Sequence, residues 1–324
     1  MPWVFCLLIF GYLFYQIPPK ELLAALKLVH IFEFTFYVVL YFFIVHLFDC
    51  LTIKIFISRF STLITHKESW IVRGVSYLIM ILNYHAAQGA FAVYFKKTHQ
   101  ASIFKTLGTL AFISMMDFIL VLSCALVTLS FSDVAYKGYD IKSYILGIAP
   151  TIYIGYLLWI LFWKNVDKPY LDRIKNFKLI NWVLKHNTFL IFREASYKDY
   201  LLLFICRAPM ILVIIGGFKL GLMAFQVDID LESLYLYNPI ILFISTIPIT
   251  PAGLGTGQIL TIEFFQNVVT SPLFEKGIIT PQSILLTSSL LWVIANQIIK
   301  AIFGAICLST TSKALFISDT PDNT

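Results

Sequence analysis

Long apolar runs separated by short polar connections dominate the chain: 2–17, 31–53, 70–95, 105–130, 143–163, 199–223, 237–269 and 282–308. A helix that crosses a bilayer needs about 20 mostly apolar residues at about 1.5 Å each, and six of these runs read as ordinary spans. The other two are interrupted. Run 70–95 carries Asn83, Tyr84, His85, Gln88 and Gly89 at its middle, and run 237–269 is broken by the stretch from Pro248 to Gln258, PITPAGLGTGQ. Two prolines and three glycines cannot continue a lipid-facing helix. Open backbone at membrane depth is tolerated only where protein or a water-filled cavity surrounds it. Both runs are therefore expected to be re-entrant hairpins.

Loop charge tests that expectation. If all eight runs crossed, the basic connections 54–73 and 164–198 would fall on opposite sides, against the positive-inside rule. With two re-entrant hairpins, 54–73, 96–105, 164–198 and the C-terminal tail share one side and hold 16 Lys and Arg; the other side holds five, Lys20, Lys27, Lys137, Lys142 and Lys276. The pattern predicts an all-α polytopic membrane protein with about six spanning helices, two re-entrant hairpins and both termini cytoplasmic. The two hairpins sit at matching places in the two halves of the chain, which predicts an inverted repeat. The halves are 1–163, with hairpin 70–95, and 199–324, with hairpin 237–269. The connection 164–198 is basic and amphipathic, suited to the membrane surface.

Composition agrees with a bilayer as solvent: 59% of residues are hydrophobic and only 13% charged, against about 45–50% and about 25% in soluble proteins. The net charge of +6 then points to cytoplasmic loops and lipid phosphates, and no nucleic-acid partner is expected. The first run lacks the basic start and small-residue cleavage site of a signal peptide and is expected to be a retained span in the cytoplasmic (inner) membrane.

Candidate chemistry is sparse. The five cysteines show no CxxC spacing, so neither a disulfide framework nor a zinc site is expected. HExxH, DDxxD and G-x-S-x-G spacings are missing as well, and no catalytic residue, metal or cofactor is assigned. The sharpest signal is the glycine-rich break. Thr250 followed by Pro251 suits a helix start, Thr256 offers a second cap, and Gly253, Gly255 and Gly257 expose backbone N–H groups to which an anion is attracted. Gln258 closes the stretch. The plainer alternative is a turn whose glycines let helices touch. Charges within spans come next, because each costs about 2.5–3.5 kcal/mol to insert. Arg207 and Lys300, the latter one turn after Asn296, suit either a seat for a lipid phosphate or internal ion pairs. Asp117 and Glu263 suit either those ion pairs or proton coupling. In the first hairpin, Asn83, His85, Gln88 and Gly89 form a second candidate binding group.

Segment 240–265, with its P-x-T-P-x-G-x-G core, resembles the signature of the lysylphosphatidylglycerol synthase transmembrane (flippase-like) family. Segment 83–118 resembles that family's other block: Asn83, Gly89, the basic pair Lys96 and Lys97, then Asp117. Departures occur at Ala86, Ala87 and Gln88 and at Ser114, Met115 and Met116. The resemblance implies a flippase-like membrane domain, without the soluble aminoacyl-transfer domain that some members carry, moving lipids or lipid-linked head groups between leaflets. The expected function is thus transport of an anionic lipid head group through a midplane cavity framed by the hairpins, with membrane lipids as partners. Two alternatives stay open: an integral-membrane transferase using Asp117 or Glu263 as base, and a non-transporting partner subunit.

Overall fold

The computed structural model describes residues 2–81, 83–131, 135–136, 139–169, 175, 177–245 and 254–316. Helices α1 (Pro2–Gln16) and α2 (Pro19–Lys27) precede the long α3 (Ile31–Phe60). Next come the paired short helices α4 (His66–Met80) and α5 (Tyr84–His99), then α6 (Ile103–Leu129). A two-residue antiparallel ribbon, β1 (Ala135–Tyr136) with β2 (Tyr139–Asp140), leads into α7 (Ile141–Asn165). Then follow α8 (Lys178–Lys185), a 3₁₀ turn (Asn187–Phe189), α9 (Leu190–Glu194) and the long α10 (Tyr197–Met223). A second pair, α11 (Leu231–Ser245) and α12 (Thr256–Phe265), is followed by α13 (Pro272–Glu275) and the long α14 (Pro281–Phe316).

Among the described residues, five helices are long and apolar enough to cross a membrane: Ile31–Phe60, Ile103–Leu129, Lys142–Asn165, Tyr197–Met223 and Pro281–Thr310. Their outward faces are apolar too. On α14, Ile294, Ile298, Ile302 and Ile306 recur every fourth residue and each is more than half exposed, a stripe suited to lipid tails rather than water. Run 2–17, expected as a sixth span, forms a helix of only 15 residues, because Pro18 and Pro19 end it.

Both interrupted runs form pairs of short helices packed on each other. The first pair has local causes. Thr65 and Glu68 form a reciprocal capping box that starts α4, and Asn83 Oδ1 accepts from the Ala86 N–H at 3.0 Å to start α5. Gln100, at φ 54°, ends α5 in the left-handed region.

The chain divides into two compact units, each drawing residues from both halves of the sequence. The first comprises 1–45, 117–156 and 208–295; the second comprises 46–116, 157–207 and 296–324. In the first, α12 stacks Phe264 on Tyr237 of α11 and Phe265 on Phe218 of α10, while Asn238 donates to the carbonyl of Ile215 at 2.8 Å. In the second, Val72, Phe91 and Phe95 of α4 and α5 bury themselves with Ile53 and Ile57 of α3 and Leu110 of α6. Arg59 pairs with Asp199 at 2.5 Å, tying α3 to the start of α10.

Candidate functional site

Within the second unit, one carboxylate gathers cations from separate helices. Asp49 of α3 accepts from Arg73 Nε of α4 at 2.5 Å through Oδ2, and from Arg207 Nη1 of α10 at 2.6 Å through Oδ1. The three side chains are 8%, 11% and 5% exposed. Burying an ion in an apolar medium is costly unless its remaining bonding capacity is met, and here the two carboxylate oxygens are divided between two guanidiniums.

A third cation lies beside them. The ammonium of Lys300 on α14 sits 5.8 Å from the ring centroid of Tyr77, and the Arg73 guanidinium sits 5.5 Å from the same ring. Tyr77 Oη is in turn 2.9 Å from His46 Nδ1. Among the described residues, Lys300 has no carboxylate at ion-pair distance; its contact is the aromatic face, an attraction worth about 0.5–2 kcal/mol. Among the described residues, the cluster thus places three basic side chains about the Asp49 carboxylate.

Local packing fixes this geometry. His46, Asp49 and Cys50 lie within about one turn of α3, and His46 is wedged between Trp70, at 4.3 Å, and Phe303, at 4.8 Å. Ser69 donates to the carbonyl of Cys50 at 2.8 Å. Helix α4 meets α14 at two glycines: a Cβ on Gly304 would lie 2.9 Å from the Gly74 carbonyl oxygen, and one on Gly74 would strike Cys307. Such an approach is how helices pack in bilayers, where small residues admit backbone contact.

The predicted site residues thus separate. Arg207 and Lys300 belong to the cluster, and Asn296 lies one turn before Lys300 on α14. Asn83 caps α5, Gln88 holds a buried side-chain oxygen without a hydrogen-bond partner, and Gly89 faces open space. His85 lies in α5, its side chain outside the described residues, as are Thr250, Pro251 and Gly253. Gly255, Thr256, Gly257 and Gln258 are described, in the first unit. There Gly255, not Thr256, is the residue before the helix, at φ 93°, and its N–H donates to Gln258 Oε1 at 2.6 Å. A Cβ on Gly255 would lie 2.8 Å from Ile9 of α1, so that glycine serves a close packing contact and its amide is already used. Asp117 sits on α6 and Glu263 on α12, in the first unit. Glu263 lines a polar cavity of about 350 Å³ with Gln16, Glu21, Gln266 and Gln282.

Two members of the cluster were not expected from sequence. Asp49 falls near the predicted end of run 31–53, where a charge reaches the interface, and Arg73 counts there as loop charge. In the structure α3 continues to Phe60 and α4 begins at His66, which leaves both inside helices. A carboxylate in an apolar run shortly before a basic residue in the next is the signal that would have joined them.

The fold defines an all-α, multi-pass membrane protein. No protein-family model, no curated protein and no solved structure matches the chain.

Proposed function

We propose that this protein is a lipid transporter of the flippase-like kind, moving an anionic lipid or lipid-linked head group between leaflets. The observation that carries the reading is Lys300: a cation inside a helical membrane protein, held on an aromatic face beside a carboxylate already shared by two arginines. Asp49 holds the guanidiniums in place, and a phosphate entering the cluster meets the Lys300 ammonium without displacing a carboxylate from it. Phosphate oxygens suit this set because each accepts charge-assisted hydrogen bonds, while the acyl chains remain among the exposed apolar side chains outside.

Two further features support transport. Helices of 15, 16, 15 and 10 residues reach about 15–24 Å at about 1.5 Å per residue, short of a hydrocarbon core of about 30 Å. Re-entrant placement accounts for that shortfall. The order of elements also repeats, long helix, short pair, long helix, over 31–129 and 197–316. The first short pair belongs to the second unit and the second pair to the first unit, which suits an inverted repeat.

The test is movement of labelled phosphatidylglycerol across liposomes containing purified protein, with phosphatidylcholine as control. Lys300→Gln should slow the anionic lipid at least tenfold with unchanged melting temperature, and Lys300→Arg should retain most of the rate. Equal movement of both lipids, or a wild-type rate in Lys300→Gln, overturns the proposal.

A further inference from the structure

The first unit contains a different kind of cavity, about 210 Å³ and partly open, lined by residues of α10, α11, α12 and α14. It is lined by Ser245, Gln258, Thr261, Ser288, Ser289 and Trp292, with apolar side chains between them, and none of its lining residues is Asp, Glu, Lys, Arg or His. We propose that this cavity binds an uncharged, hydroxyl-bearing group of the size of one sugar ring.

Hydrogen-bonding capacity argues for that class. Gln258 and Ser288 are 5% and 2% exposed, so they belong to the interior. Gln258 Oε1 is taken by the Gly255 N–H, which leaves the amide NH₂ as a donor. Ser288 and Ser289 donate to the carbonyls of Leu285 and Leu286 at 3.2 and 3.0 Å, and each keeps its oxygen lone pairs. Thr261, only 6% exposed, lines the cavity and adds a hydroxyl that can both donate and accept. A ligand hydroxyl, itself donor and acceptor, can pair with each of these groups.

Shape and charge narrow the choice further. An anion would find no cation here, and a cation would find no carboxylate. Trp292, held by Tyr41 at 5.1 Å and Phe34 at 6.0 Å between ring centroids, adds an indole to the wall, an apolar body suited to the C–H face of a sugar. Gly257 adds no side chain to the wall, and a Cβ there would lie 3.4 Å from Ser245 Oγ. The volume equals about seven waters at about 30 Å³ each, enough for one ring and too small for an extended glycan.

The ligand group could arrive on a glycolipid from the bilayer or as a soluble sugar, and the experiment separates the two. Purified protein in nanodiscs containing monoglycosyl diacylglycerol and phosphatidylglycerol is transferred to detergent, and retained lipid is measured by native mass spectrometry. A parallel arm titrates methyl glucoside and reads melting temperature. Retention of the glycolipid over phosphatidylglycerol identifies a membrane source, and stabilisation by methyl glucoside alone identifies an aqueous one. In either arm Thr261→Val and Ser289→Ala should each weaken binding at least fivefold. Should Thr261→Val fail to fold, Ser289→Ala still carries the test. Lys300→Gln should leave this binding unchanged, so failure here is distinct from failure of the anionic-lipid reading. Binding of neither ligand, or wild-type binding by the folded variants, overturns the proposal.

Discussion

Arg207 Nη1 and Asp49 Oδ1 meet at 2.6 Å across 158 positions of the chain. The bond joins α10 to α3, and the same carboxylate holds Arg73 of α4 through its other oxygen. Asp49 is thus common to two buried pairs, and the three residues of those pairs should not respond equally to mutation. Asp49→Asn removes the negative charge that both arginines share and should destabilise by about 3–5 kcal/mol. Arg207→Gln leaves Asp49 paired with Arg73 and should cost less. Combining Asp49→Asn with Arg207→Gln should recover part of the loss. Thermal unfolding in detergent checks the ranking, and a wild-type melting temperature for Asp49→Asn contradicts it.

The contact between α4 and α14 depends on bare backbone. Gly304→Ala would place a Cβ 2.9 Å from the Gly74 carbonyl oxygen and 2.8 Å from Leu78. Separating the helices should destabilise by about 1–3 kcal/mol and move Lys300 relative to Tyr77. Lower melting temperature together with slower anionic-lipid movement is the expected pair of results.

Acid should loosen the start of α4. Burial opposes ionisation of Glu68, but hydrogen bonds from the Thr65 N–H and hydroxyl, with His99 at 3.1 Å, outweigh it and hold the carboxyl below the usual glutamate range. A depressed folded value means the contribution is present above the unfolded pKa, about 4.3, and is lost as pH falls through the folded value. Protection of the first turn of α4 against hydrogen exchange, taken relative to the intrinsic rate at each pH, should fall below about pH 4.3 in wild type. Glu68→Gln, which keeps a capping oxygen but no titratable charge, should show somewhat lower protection at pH 7 and little further change on acidification.

Gly255 carries two separate constraints. Its φ of 93° disfavours any side chain, and Ile9 fills the adjoining space. Gly255→Ala should destabilise by about 1–3 kcal/mol, and adding Ile9→Ala should relieve the clash and leave the backbone strain. Full recovery in the double variant would show that the backbone is unstrained.

The expected topology can be read by labelling. Single cysteines at His66 and His186 should react with impermeant reagent from the cytoplasmic side, and one at Asp228 from the opposite side. Reaction of His66 and His186 positions from different sides overturns both the re-entrant hairpins and the inverted repeat.

Much of the fold is legible in the sequence because a spanning helix must be apolar on all sides, and such runs need no partner to be recognised. The interruptions around Asn83 and Gly255 were legible too, since capping residues, glycine and proline act locally. Register across helices was not. Arg207 and Lys300 stand out as intramembrane charges, but Asp49 reads as a helix-end charge and Arg73 as a loop charge, because helix length beyond the apolar run depends on tertiary support. Gly255 shows the other limit: composition reveals that backbone is bare, and only the neighbours reveal whether the space beside it is empty or holds Ile9.

One turn of α4 bears three attachments: Arg73 to Asp49, Gly74 against Gly304 and Cys307, and Tyr77 to His46 with Lys300 on its ring. Inserting a single residue between Glu68 and Val72 would rotate that turn by about 100° and break all three together. The chain there should tolerate no change of length, even where the exposed positions between these attachments accept other residues. In a set of diverged sequences, gaps would therefore gather in the connection 164–198 and stay out of the segment from Thr65 to Tyr77.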